Sequence, residues 1–421
     1  VGKDYEEGVE EMKDFIDPVQ GDMLLGAFRA LSGIRDAIVL VNAPVGCHWG
    51  INFIERLCSI RTSSAVSALR ERNVIFGSDQ NLRKTIEILL KRRKNRYLIL
   101  LAGNVPSIIG EDWDGIMSSL DFDIDYIAID CGGYLGKMGD GYENALRELI
   151  KWIDEPKEKR KKRSVNIIGI PLDIPKGEKD IGEIRRCLKT IGVDINSVFP
   201  PKSIREIKKA SNVDLNIVFG YGKALAIEME KRWDIPYLYF NKYPYGINQT
   251  KELLEKVAEK LSIDGYKNRI KKQEDMVLKT LKECHIYFPC IYDVPIAVSA
   301  DIFQARGISY FLNKELGMDV RLVSITSSIE EDMSDLEAFS KRIIFQGSWE
   351  EIKEALEKED IKMIFGSDME KNISLKKSTP FIPFSFPSTL YVSLAETPYM
   401  GFKGCISLVE VILNYILLYF S

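Results

Sequence analysis

Short apolar runs alternate with amphipathic stretches from about residue 35 onward. AIVLVNA (37–43), YLILLAG (97–103) and YIAID (126–130) are each too short for a stable helix and apolar throughout, as strands buried on both faces are. Helical patterns fill the gaps at 50–58, 80–93 and 139–153. A second series follows: VNIIGIP, IGEIRRCLKTIG, VDINSVF, SIREIKKAS, LNIVFG, GKALAIEMEKRW and IPYLYF read as strand and helix in strict alternation. A helical segment spans 248–283, and a third series opens with PIAVSA at 295–300. Strand–helix alternation of this kind predicts parallel sheets covered by helices. The expected architecture is therefore α/β, with three Rossmann-like domains and a C-terminal return segment. The expected boundaries are 1–160, 161–285, 286–370 and 371–421.

The first boundary rests on PKEKRKKRS (156–164), a proline followed by a basic run with no apolar face. It reads as a solvated connection rather than an anion-binding patch. The terminal ISLVEVILNYILLYF is interrupted by Glu410 and Asn414 and is too short to span a bilayer without them, so it reads as a buried helix.

Composition narrows the chemistry. The 58 basic and 62 acidic residues nearly cancel, leaving no general field for nucleic acid or an acidic membrane. With only His48 and His285, a His-triad metal site within one chain is excluded. Seven scattered cysteines with no CxxC encode neither a zinc ribbon nor a local ferredoxin-type run. Such spacing suggests reduced thiols, and the acidic, polar first residues do not resemble a signal peptide; a cytoplasmic protein is expected. No Walker loop occurs, so ATP hydrolysis by this chain is not expected.

Three loops are candidate cavity linings because α/β sheets bind ligands at the carboxyl ends of their strands. In IFGSD, Gly77 and Ser78 are read as ending a strand and capping the next helix; Gly366 and Ser367 of FGSD have the same reading. Gly220 and Gly222 of FGYGKAL form a GxG turn able to bring backbone N–H groups to a phosphate, although without a third glycine a plain tight turn is favoured. APVGCHWG (43–50) places Cys47, after Gly46, at a strand end beside a helix N-terminus. A thiolate there has a lowered pKa and suits a soft metal, while a half-buried structural cysteine is the alternative.

Longer segments carry a resemblance. DMLLGAFRALSGIRDAIVLVNAPVGC (22–47), NVIFGSDQNL, AGNVPSIIGEDWDGI, DCGGYLGKMGDGYENAL, IPYLYFNKYPYGINQT and TPYMGFKG resemble, in order, motifs of the nitrogenase component 1 family. That family includes cofactor-assembly scaffolds, dark-operative protochlorophyllide reductase and a nickel-tetrapyrrole cyclase. The resemblance implies three Rossmann-like domains per subunit and a cluster site to which each subunit offers up to three cysteines. Here Cys47 occupies one such position, but the other two fall on Asp22 and Asn104. A [4Fe–4S] cluster needs four ligands. The resemblance therefore implies a one-cysteine, β-type subunit that shares a [4Fe–4S] cluster with a Cys-rich sister. Asp22 is a harder, poorer ligand. Cys58 and Cys131 read as structural. The positions that hold the molybdenum–iron cofactor fall on Gly220 and near Tyr391, so that cofactor is not expected. The implied role is in a two-component reductase, fed by an ATP-dependent iron–sulfur reductase and acting on a small-molecule or tetrapyrrole-like substrate. A non-catalytic scaffold for cofactor maturation is the alternative, and a cluster-free ligand-binding protein is a third reading.

Overall fold

The computed structural model describes residues 21–57, 64–92, 96–156, 162–330 and 332–420, with the side chains of 53–57 and 420 outside that description. Cys58 and most of the basic connection at 156–164 lie outside the described residues.

Three sheets organise the chain. In the first, β1 (Ile38–Asn42), β2 (Ser64–Val66), β3 (Tyr97–Ala102) and β4 (Asp125–Asp130) run parallel in the order β2-β1-β3-β4. The second orders β5 (Ser164–Ile168), β6 (Asp194–Phe199), β7 (Leu215–Phe219) and β8 (Tyr237–Phe240) as β6-β5-β7-β8. The third orders β9 (Pro295–Asp301), β10 (Asp319–Ser327), β11 (Arg342–Phe345), β12 (Met363–Gly366) and β13 (Phe381–Pro383) as β11-β10-β9-β12-β13, again parallel. The apolar runs are interior for the expected reason: β1 is buried at every residue, as a central parallel strand covered on both faces must be. Each sheet winds outward in both directions from its first strand. That creates a crevice at the strand carboxyl ends between β1 and β3, between β5 and β7, and between β9 and β12.

The helices that matter for the site are α1 (Met23–Leu31), α2 (Val45–Leu57), α3 (Glu71–Phe76), α4 (Asp79–Arg92), α5 (Asn104–Ile109), α6 (Trp113–Ser118) and α7 (Met138–Glu148). Those of the later sheets include α8 (Gly177–Thr190), α9 (Lys223–Trp233), α10 (Gly246–Lys260), α11 (Tyr266–Lys282), α12 (Ile302–Tyr310), α13 (Trp349–Lys358), α14 (Asp368–Lys377) and α15 (Gly401–Phe420). Leu82 and Ile86 of α4, with Ile116 and Met117 of α6, close over Ile38, Leu40, Leu98 and Leu100. Ile352 and Leu356 of α13 and Ile373 of α14 do the same over Ala297, Leu322 and Ile364. Two compact units emerge: residues 22–173 with 194–239, and residues 174–193 with 240–421. Helix α8 thus belongs with the second unit, although β5 and β6 on either side of it belong to the first.

Two expectations are corrected. The run before Gly77 is not a strand: Glu71–Phe76 is the helix α3, opened by the Asn73 side chain accepting from Arg70 N. None of its residues is buried, so the branched side chains that suggest a strand lie on a surface helix. The terminal helix is longer than its apolar run, because residues 401–405 join it, and by length and composition alone α15 is able to cross a membrane. Its burial decides otherwise: Phe402, Cys405, Leu408, Val409, Ile412 and Ile416 are buried, and α15 packs against α8, α10 and α11.

Candidate functional site

The first crevice gathers the positions that the sequence marks. The chain leaves β1 at Asn42, turns at Pro44, and enters α2, which places Gly46 and Cys47 in that helix's first turn. It leaves β3 at Ala102 and enters α5 at Asn104, with Gly103 N donating to Asn42 O at 3.0 Å. A Cβ on Gly103 would lie 3.2 Å from that of Ala43, so the two strand exits touch. Asp22 comes from another direction, as the N-cap of α1, where its Oδ1 accepts from Leu25 N at 3.1 Å.

Helix α1 reaches this place through a close crossing with α7. A Cβ on Gly26 would fall 1.9 Å from Met138 O, and one on Gly141 would fall 2.1 Å from Met23 O. Both positions are therefore closed to any side chain, which is the physical content of the Gly26-Ala27 motif. Farther along α1, Arg29 makes a two-pronged buried pair with Asp173, at 2.5 and 3.0 Å. The crossing brings Asp22 into an antiparallel bridge with Lys137 and against Gly133. Asn104 Oδ1 accepts from Gly133 N at 2.5 Å. Asp22 and Asn104 thus flank one backbone turn.

Cys47 is exposed and close enough to Asp22 for the carboxylate to act on it. Partial burial and that negative charge push the thiol above its ordinary pKa. The expected lowering by the helix N-terminus is outweighed: burial first, and then the neighbouring carboxylate, disfavour the thiolate more than the backbone N–H favours it. His48 does not join the donors. Its Nε2 pairs with Ser64 Oγ at 3.0 Å and its ring stands edge-on to Phe28. Cys131 is buried, and burial raises its thiol pKa far above the ordinary value, as expected of a structural cysteine.

The remaining candidate loops are held by the chain's own carboxylates. Ser78 donates from both N and Oγ to Glu111, whose other oxygen accepts from Asn42 Nδ2 at 2.8 Å. At the β5–β7 crevice Gly222 N and Ala224 N donate to Glu143, the latter at 2.8 Å. The α9 N-terminus that a phosphate would need is thereby filled. Gly220 and Gly222 take positive φ, and a Cβ on Gly169 would overlap Tyr221 O at 2.1 Å, so the GxG is a tight turn. At the β9–β12 crevice Ser367 donates to buried Glu370 from N and Oγ at 2.8 and 2.7 Å, beside Gly366, and Ser299 adds a third bond at 2.7 Å. Burial raises the pKa of both Glu143 and Glu370. These glutamates carry no recognisable motif; only the capping partners three-dimensional folding brings them reveal the role. Glu143→Ala leaves two partly buried donors at the start of α9 unpaired and should cost about 1–3 kcal/mol in denaturant unfolding. An unchanged midpoint would show that water replaces the carboxylate without loss.

The elements that leave the ends of β1, β2, β3 and β4 carry exposed apolar side chains. Val45, Trp49, Ile75, Phe76, Ile108 and Tyr134 are exposed. They sit on α2, α3, α5 and the turn after β4; α3 packs on α5, and Tyr134 OH lies 2.7 Å from Ser107 Oγ of α5. An exposed apolar patch of this kind marks a protein-binding face.

Known proteins share this design. Residues 23–417 match the family model for nitrogenase component 1 type oxidoreductases. The nitrogenase iron-molybdenum cofactor biosynthesis protein NifE of Clostridium pasteurianum is 27% identical, covering 75% of this chain and 70% of that protein. The nitrogenase iron-iron protein beta chain of Rhodobacter capsulatus is 22% identical, covering 95% and 93%. A light-independent protochlorophyllide reductase chain of Chlorokybus atmophyticus is 21% identical, covering 94% and 82%. The fold superposes on a solved structure, nitrogenase Cp1 at pH 6.5, with a TM-score of 0.82 at 18% identity, over 96% of this chain and 93% of that one. With its three sheets and with Asp22, Cys47 and Asn104 at one strand-end crevice, the chain belongs to the nitrogenase component 1 type oxidoreductase family.

Proposed function

We propose that the chain is the one-thiol subunit of a nitrogenase-like two-component reductase, sharing a [4Fe–4S] cluster with a Cys-rich sister subunit. The observation that supports this most is the convergence of Asp22 and Asn104 on the Gly133 turn, with the lone thiol of Cys47 within electrostatic reach of Asp22. The donor set fits a shared cluster and not a complete one. Among the described residues, no group of three or more His, Cys, Asp or Glu stands ready to hold a metal ion. Cys47 offers one soft donor and Asp22 is a harder, poorer one; with Cys47 as the ligand from this chain, roughly three more thiolates must come from elsewhere. A bound cluster would supply one-electron transfer.

The chain's own residues do the rest. The Gly26–Gly141 crossing fixes Asp22, and the Glu111 network fixes the loops beside β1. Val45, Trp49 and Phe76 exclude water when the sister subunit covers them. The electron donor in this reading is an ATP-dependent iron–sulfur reductase. The acceptor is a small molecule or tetrapyrrole-like substrate, and the molybdenum–iron cofactor is not expected because its positions fall on Gly220 and near Tyr391. A second reading, a scaffold subunit for metal-cofactor maturation, is favoured by the 27% identity to the NifE protein.

Anaerobic purification with and without a three-cysteine sister subunit tests the assembly. About four irons per pair are expected, and few on this chain alone. A stable four-iron cluster on this chain by itself would overturn the shared site. Substrate turnover with the reductase added separates the catalytic reading from the scaffold.

A further inference from the structure

Asp180 and Glu183 stand three apart on one face of α8, and Lys176, with left-handed backbone, immediately precedes the helix. All three grip residues 397–403. Lys176 Nζ donates to Thr397 Oγ1 at 2.8 Å and lies over the rings of Tyr391 and Tyr399. Asp180 Oδ1 accepts from Tyr399 N at 2.6 Å and Met400 N at 2.8 Å. Glu183 Oε1 accepts from Lys403 N at 3.0 Å, in the first turn of α15. The gripped segment is tied at its other side by Gly401 N to Pro244 O, 2.9 Å, and by the Tyr245–Met400 bridge. Gly401 takes φ +76°, and a Cβ there would meet Glu183 Cγ at 2.5 Å, so glycine alone permits this approach.

We propose that this face of α8 is a clasp on the start of the terminal helix, tight while Asp180 carries a proton and looser once Asp180 is ionised. Both amides use Oδ1, so a proton on Oδ2 leaves both bonds intact. Ionisation adds a charge to a side chain that is 1% exposed. Glu183 of the same helix faces it with like charge, and the Tyr245 and Tyr399 hydroxyls surround it. Asp301, at the end of β9, bears on Tyr245, and Tyr391 bonds Tyr399. Lys176 is the cation that opposes them; Arg186 is engaged by Glu183, and Lys179 by Glu396. Burial raises Asp180 from 3.8 to about 7, against the pull of the two N–H groups and Lys176. Once the segment opens, water restores the ordinary value. The clasp's resistance to opening is thus complete below the ordinary value and is lost as pH rises through about 7.

Hydrogen exchange of the full chain over residues 397–410 tests this, with amide protection corrected for the intrinsic rate between about pH 5 and pH 8.5. Wild-type protection should fall by roughly tenfold per pH unit up to about 7 and then level off. Asp180→Asn keeps an acceptor oxygen without the titration and should give a flat profile. Lys176→Met removes the cation that favours ionisation, so its fall should extend to higher pH. A flat wild-type profile overturns the clasp, as does an unchanged slope in Asp180→Asn. If Asp180→Asn does not fold, an unmoved plateau in Lys176→Met does the same.

Discussion

Serine in place of Cys47 should lower the iron content of the assembled complex, or shift its reduction potential, while the complex still folds. The alkoxide is a harder and more basic donor than the thiolate, so a ligand's replacement changes the metal site in kind. Cys47 is exposed on α2, so the same change carries little packing cost. Cys405→Ser is the control, since Cys405 is buried in α15 and its hydroxyl must be desolvated, at roughly 1–3 kcal/mol. That variant should lose stability with iron and spectra unchanged per folded molecule. Unaltered iron stoichiometry, electron-spin spectrum and potential in Cys47→Ser would end the ligand assignment. The neighbouring carboxylate adds a metal-free readout. Asp22 raises the Cys47 pKa, so Asp22→Asn should increase the thiolate fraction at neutral pH and speed alkylation of Cys47. An unchanged alkylation rate, followed on the Cys47 peptide, would separate the two side chains.

The sheets were legible because parallel strands leave a plain signature. IVLVN is buried at every position, and a run that short and that apolar has few alternatives. Val74, Ile75 and Phe76 show the limit of the same rule. Branched and aromatic side chains ending at a glycine look like a strand, yet they end a surface helix whose apolar side chains are exposed. Periodicity measures what a segment would bury, and it is silent about apolar side chains that stay on the surface. The candidate site divides in the same way. Cys47 and Asp22 stood out by residue type and position, but the sign of their interaction did not. A helix N-terminus alone lowers a thiol's pKa; only the folded arrangement reveals the burial and the carboxylate that together raise it. Glu111, Glu143 and Glu370 were invisible for a related reason. Each closes a strand-end loop that reads as an open cradle when only the loop's own glycines and serines are considered.

Gly26→Val should be among the most damaging single changes outside Asp22 and Cys47. Gly26 lies in the helix interior, where alanine is ordinarily favoured by about 1 kcal/mol. Here a Cβ would stand 1.9 Å from Met138 O and 2.8 Å from Tyr142 N, both backbone atoms of α7 that no rotamer change can move. The helices must separate, with an overpacking cost of about 3 kcal/mol or more for valine and somewhat less for alanine. The separation pulls on both ends of α1. At one end it strains the buried Arg29–Asp173 pair, and at the other it draws Asp22 from Lys137 and Gly133. Denaturant unfolding should show the loss directly. The site should report it independently: as Asp22 withdraws, alkylation of Cys47 should accelerate in the fraction that remains folded, as in Asp22→Asn. Gly141→Ala, on the opposite helix and 2.1 Å from Met23 O, should reproduce both effects. Wild-type stability in Gly26→Ala together with Gly141→Ala would mean that the crossing is looser than these distances allow, and that Asp22 is placed by its own cap alone.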